Sequence, residues 1–239
     1  MPVLLLAYGD PAAKDMLRHA IEARYATRPP VLDSLRIDFK GRAPFKVGPI
    51  NSWVPLELTA YFRFPDAMRW DFTVRPLKLP VQRGIEAFDG EICRSVRGGK
   101  PPTEITDPHQ ISAMRQRLWA TASTLLTPLS NTFVKVEPGG ENSFIATNTR
   151  INDAATLFIG GNGTLDYVQV DCVNAQGKDS RYIMRLSEEQ TQANDDLILP
   201  KKISTYWDNT PDFEFEPVSA VSNPTISDKI FRIEDTHET

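Results

Sequence analysis

Between residues 56 and 72 the chain alternates apolar and polar side chains in two successive runs. In LELTAYFRF, Leu56, Leu58, Ala60, Phe62 and Phe64 fall on one phase, with Glu57, Thr59 and Arg63 on the other. In FPDAMRWDF, Met68, Trp70 and Phe72 alternate with Arg69 and Asp71. A period of two is that of a half-buried strand, so the pattern predicts two adjacent strands that turn large apolar groups to one side. That side faces either a packed core or a cavity for an apolar ligand.

Two stretches switch to helical spacing. Asp10 and Pro11 form a helix start, followed by Leu17, Ala20, Ile21 and Tyr25, and the run ends at Arg28-Pro29-Pro30. Asp107-Pro108 repeats this grammar. Ile111, Met114, Leu118, Ala122 and Leu125 form the apolar stripe, and Pro128 closes it.

The remainder reads as strand and turn. LRIDFK (35–40) is the first strand, followed by a loop containing Pro44, Gly48, Pro49 and Pro55. RGIEAFDGEICRSV is a hairpin turning at Asp89-Gly90, a favoured two-residue turn. TFVKVE, SFIAT and ATLFIG follow, then two strands joined at NAQG, then KKISTYWD and FEFEPVSAV. SEEQTQANDD (187–196) reads as a solvated loop, and Ile226 to Phe231 as a short apolar segment tucked on the sheet or a terminal strand. The fold class is α+β, mostly β: an antiparallel sheet of about 11 strands that curls, with helices on its concave face.

Composition narrows the function classes. The 239 residues are 41% hydrophobic and 24% charged, with no compositional break, so one domain spanning 1–239 is expected. A net charge of −4 gives no general electrostatic grip on nucleic acid. No apolar run reaches the ~20 residues of a membrane-spanning helix. Residues 1–12 read as a signal remnant or the ragged start of a domain. Cys93 and Cys172 either pair or are small buried apolar residues.

Chemistry-bearing patterns are few. His19, His109 and His237 belong to no metal-ligand spacing, and neither cysteine has a histidine near it in sequence. GGNG (160–163) precedes a strand rather than a helix, so it reads as a hairpin turn. RPLKLPVQR gathers Arg75, Lys78 and Arg83 in a solvated loop or a contact for an acidic partner or lipid headgroup. No catalytic residue, metal site or cofactor is expected. The candidate site is a lipid-binding cavity lined by Leu58, Phe62, Phe64, Met68, Trp70, Phe72, Leu118 and Leu125. Trp207, Phe213 and Phe215 are candidates for the same concave face.

The order of these features resembles the periplasmic lipoprotein carriers of the LolA/LolB/RseB-like family. A helix leads into LRIDF; YFRFPDAMRWDF, AFDGEIC, TLLTPL and LFIGGNGTLDYVQVDCVNAQGKDSRYIM follow in the family's order, over residues 15 to 233. The resemblance implies an open half-barrel with helices as a lid. It also implies a periplasmic location, a monomer, peripheral membrane contact at most, and acyl chains of lipids or lipoproteins as cargo. An RseB-like sensory module binding an envelope protein partner is the alternative. Two positions depart from the family: Phe64 stands where the carriers have an arginine before the proline, and Arg94 where a tryptophan is frequent.

Overall fold

The computed structural model describes residues 6–26, 28–47, 50–75, 82–174 and 177–234. Lys78, His237 and most of the RPLKLPVQR run lie outside the described residues, as do residues 1–5 of the N-terminal segment.

Both expected helices form where their caps place them. Helix α1 spans Pro11–Tyr25, with the Asp10 side chain accepting from the Ala13 amide. Helix α2 spans Pro108–Thr124, with Asp107 accepting from the His109 and Gln110 amides. Each aspartate satisfies amide groups that an uncapped helix start leaves unpaired. A third helix, α3 (Asp228–Arg232), replaces the expected closing segment. Ser227 caps it, and Phe231 is its fully buried anchor.

The strands form one open sheet. In chain order they are β1 (Tyr8–Gly9), β2 (Ser34–Val47), β3 (Ile50–Arg63), β4 (Ala67–Val74), β5 (Gln82–Phe88), β6 (Cys93–Arg97) and β7 (Thr103–Ile105). After α2 come β8 (Val134–Gly140), β9 (Ser143–Asn148), β10 (Asp153–Ile159), β11 (Leu165–Val173), β12 (Asp179–Leu186), β13 (Ile203–Trp207) and β14 (Thr210–Ser222). The spatial order is β1-β8-β9-β10-β11-β12-β13-β14-β2-β3-β4-β5-β6-β7. Among the described residues only β1–β8 is parallel, and every other strand pair is antiparallel. Two meanders thus join where β14, near the end of the chain, pairs with β2 near its start.

The described residues hold 14 strands, not the expected number near 11. Two of the additions, β1 and β7, are two- and three-residue edge pieces that carry no periodicity. Most of the stretch read as a proline loop is instead paired strand, with Pro44 opposite Trp53 and Pro55 opposite Arg42, while Gly48 and Pro49 lie outside the described residues. Prolines are tolerated there because the β2–β3 pair outruns its neighbours. The β14 ladder on β2 ends at Arg42, and the β4 ladder on β3 ends at Leu56. Each proline therefore sits at a strand edge, where its missing N–H breaks no ladder.

Helices α1 and α2 occupy the concave side: α1 contacts β8 and β9, and α2 contacts β10, β11 and β12. Buried polar groups fix them. Arg115 of α2 pairs with Asp153 at 2.9 Å, the Trp119 indole donates to the Ala146 carbonyl at 2.9 Å, and Arg24 of α1 donates to the Thr124 carbonyl. Glu189, from the stretch read as a solvated loop, pairs with that same buried Arg24 at 2.7 Å. Leu197 and Leu199 just beyond it are buried, so the acidic loop is a strap held down by its tail.

The convex side carries α3. Arg69 donates to the Ile230 carbonyl at 2.9 Å, and Arg63 lies over the Phe231 ring at 5.0 Å. Arg94, at the family's tryptophan position, pairs with Asp89 at 2.7 Å, while Asp89 also accepts from the Ile92 amide. That site is a hairpin clamp. Cys93 and Cys172 are both free and buried, and burial pushes their thiols up to about 12 and about 11.

Candidate functional site: a two-chamber cavity in the curl of the sheet

The alternating face of β3 and β4 has two fates along its length. At one end, cross-strand pairs Phe62–Met68 and Met68–Phe88 lie in the main core. Phe62, Met68, Leu118 and Leu125 are all buried to 2% exposure or less, within the main core. Half-buried Phe64 stacks on Phe62 with ring centroids 5.9 Å apart. At the other end, Leu56, Leu58, Trp70, Phe72 and Val74 line a cavity of about 180 Å³, with Phe213 and Phe215 from β14. The change occurs where Ala60 faces Trp70. Of the eight residues expected in the lining, Leu58, Trp70 and Phe72 are in the wall. Phe62, Met68, Leu118 and Leu125 are in the packed core, and Phe64 lies against it.

A polar girdle closes the inner chamber. Glu86, Arg97 and Arg117 line both this cavity and an outer chamber of about 570 Å³ reached between α2 and β13–β14. The outer chamber also presents Met114, Trp207, Asp208 and Asp212. Arg97 donates to Glu86 at 2.5 Å, and Arg117 donates to its other oxygen at 3.2 Å. The guanidinium of Arg117 lies 5.0 Å from the Trp70 ring centre, and that of Arg97 lies 4.8 Å from the Phe72 ring. Such stacks hold a cation over an aromatic face while leaving N–H groups at its edge. Gly84 makes room for this packing: a Cβ there would meet the Phe72 ring at 2.4 Å.

The girdle is electrostatically tuned. Burial pushes the Glu86 carboxyl up, but Arg117 and Arg97 outweigh it and hold it below the ordinary glutamate value. Burial pushes Asp212 up to about 6, against the pull of Arg117 and of the Thr205 hydroxyl. Two guanidiniums and two carboxylates thus balance one another at the boundary between a mostly apolar chamber and a more polar one.

These girdle residues escape a search for motifs, because they are scattered over β5, β6, α2 and β14. One signal was available. Glu86 pairs across the sheet with Trp70, and Arg97 with Gly84, so both charges sit on the inward phase of their strands. A charge on the buried phase requires a partner or a function.

An open antiparallel sheet curled around helices that leave a lined chamber defines a LolA-like fold. A domain named for outer membrane lipoprotein sorting, from Vibrio parahaemolyticus, superposes at a TM-score of 0.50 with 10% identity, covering 93% of this chain and 98% of that one. A LolA superfamily protein from Nitrosomonas europaea gives 0.49 at 9% identity over 92% of this chain and 96% of its own. A DUF1329-family protein from Desulfovibrio piger gives 0.49 at 8% identity over the same shares. The first of these likenesses assigns the fold. No protein-family model matches the sequence, and no curated protein matches it.

Proposed function

We propose that this chain is a cell-envelope binding or carrier protein for the acyl chains of a lipid or lipoprotein, held in the two-chamber cavity. The observation that carries this reading is the apolar inner chamber of Leu56, Leu58, Trp70, Phe72, Val74, Phe213 and Phe215, opening through a charged girdle to solvent. Binding is a transfer of alkyl surface out of water, at about 0.8 kcal/mol per methylene. An inner volume of about 180 Å³ lies below the ~300–1,000 Å³ of ordinary small-molecule pockets, so it suits one alkyl segment rather than several full chains. The outer chamber takes the rest of the molecule. The reading is of a non-enzyme located in the periplasm, in keeping with the family the sequence resembles.

Phe72 provides the test. N-phenyl-1-naphthylamine, whose emission rises in apolar surroundings, is expected to bind the protein and to be displaced by acyl compounds. Phe72→Asp places a carboxylate in the chamber wall and is expected to weaken that binding at least tenfold while circular dichroism stays native, because Phe72 is only half-buried. Undiminished binding in a folded Phe72→Asp variant contradicts the proposed chamber.

A further inference from the structure

Two buried hydrogen-bond donors on residues that line the chamber have no partner among the described residues: the indole Nε1 of Trp70 and the Nε of Arg117. Trp70 is only 7% exposed, and its ring and the Arg117 guanidinium form one stack with a 5.0 Å separation. Both line the inner chamber. An orphan buried donor costs about 1–3 kcal/mol of lost hydration, so two in one stack at a chamber wall mark a place built for an acceptor. Elsewhere the polar groups of this region are engaged: Arg117 also donates to Glu86, Arg97 donates to Glu86, and Thr205 bonds to Asp212.

Charge selects the kind of acceptor. Arg97 and Arg117 are already offset by Glu86 and Asp212, and Asp208 of the outer chamber adds a further carboxylate. An anionic head would enter a site with no positive charge to spare. A carbonyl oxygen brings two lone pairs and no charge, so it can receive both N–H groups without upsetting the balance. A protonated amine has no acceptor to offer.

We propose that Trp70 and Arg117 form a carbonyl-recognition site, which receives the oxygen of an uncharged acyl ester or amide while the attached alkyl segment lies in the inner chamber. This rests on the reading of the cavity as an acyl-chain site and names the group it recognises. The ester of a glyceride and the amide of an N-acylated lipoprotein terminus share this chemistry.

The test is displacement of N-phenyl-1-naphthylamine from the full chain by compounds of one chain length: methyl octanoate, N-methyl octanamide, octanoate, octylamine and octane. The ester or the amide is expected to compete about tenfold better than octane, in line with a hydrogen bond to a charged donor. Octanoate and octylamine are expected to compete less well than either. The better of ester and amide identifies the source of the carbonyl. In Trp70→Phe, which keeps the ring and loses the N–H, and in Arg117→Met, the ratio of ester or amide competition to octane competition is expected to shrink at least threefold. Trp70→Phe carries the test if Arg117→Met is poorly folded. Equal competition by octane and ester leaves the chamber and overturns the carbonyl site. Tighter binding of octanoate, or an unchanged advantage in folded Trp70→Phe, also overturns it. If no compound displaces the probe, the acyl-chain reading itself fails.

Discussion

Replacing Glu86 by alanine is expected to destabilise the fold by about 3–4 kcal/mol at pH 7, the lower part of the range for breaking a buried ion pair. The carboxylate is the shared acceptor of Arg97 and Arg117. Arg97 is half exposed and can turn to water, but the Arg117 side chain is only 17% exposed and would keep Asp212 as its nearest acidic neighbour. The same removal carried out together with Arg117→Met is expected to cost less than the sum of the two single changes. Urea unfolding of the four proteins of this cycle measures the coupling directly. A loss below ~1 kcal/mol for Glu86→Ala, the scale of an exposed pair, would show that the girdle is solvated rather than structural. The sign of its pH dependence is fixed. Glu86 titrates below its ordinary value in the fold, so its contribution is present above that value and is lost as the pH falls through the depressed one.

Asp212→Asn is expected to act in the opposite sense and to stabilise the protein at pH 8. The carboxyl rises from 3.8 to about 6 on folding. An acid whose folded value lies above its unfolded value takes up a proton on folding between the two. Stability therefore declines as the pH rises from about 4 to about 6 and stays at the lower level above that window. The full shift corresponds to about 3 kcal/mol, and partial solvation brings the expected gain for asparagine to about 1–2 kcal/mol at pH 8. At about pH 2.5, below both values, the group is protonated in the folded and unfolded states alike, and the variant and the parent should nearly coincide. Urea midpoints at the two pH values decide it. A variant that is less stable than the parent at pH 8 would mean that the Asp212 charge holds Arg117 in place more than burial opposes it.

The elements were legible where caps and periodicity acted locally. Asp10-Pro11 and Asp107-Pro108 announced both long helices, and alternation over 56–72 announced β3 and β4 with their apolar residues on one shared face. The prolines at 44 and 55 misled because a proline at a strand edge looks, in sequence, like one in a loop. Only the lengths of the neighbouring strands distinguish the two. The candidate site was half legible for a related reason. Periodicity tells which face is inward but not how closely it is packed along its length, so Phe62 and Phe72 look alike although one is core and the other is cavity wall. The girdle depended on contacts between Glu86 on β5 and Arg117 on α2, which no local pattern encodes. The terminal α3 was missed because five residues are too few to show a helical stripe.

The most direct measurement is native mass spectrometry of the protein purified from cells, followed by organic extraction and mass determination of what accompanies it. An acyl-chain cavity predicts a bound species of defined mass that yields an ester- or amide-linked acyl compound on extraction. A clean mass of the polypeptide alone, with no uptake of added methyl octanoate or acylated peptide, would contradict it and leave the chamber beside Trp70 as a packing gap in a closed core.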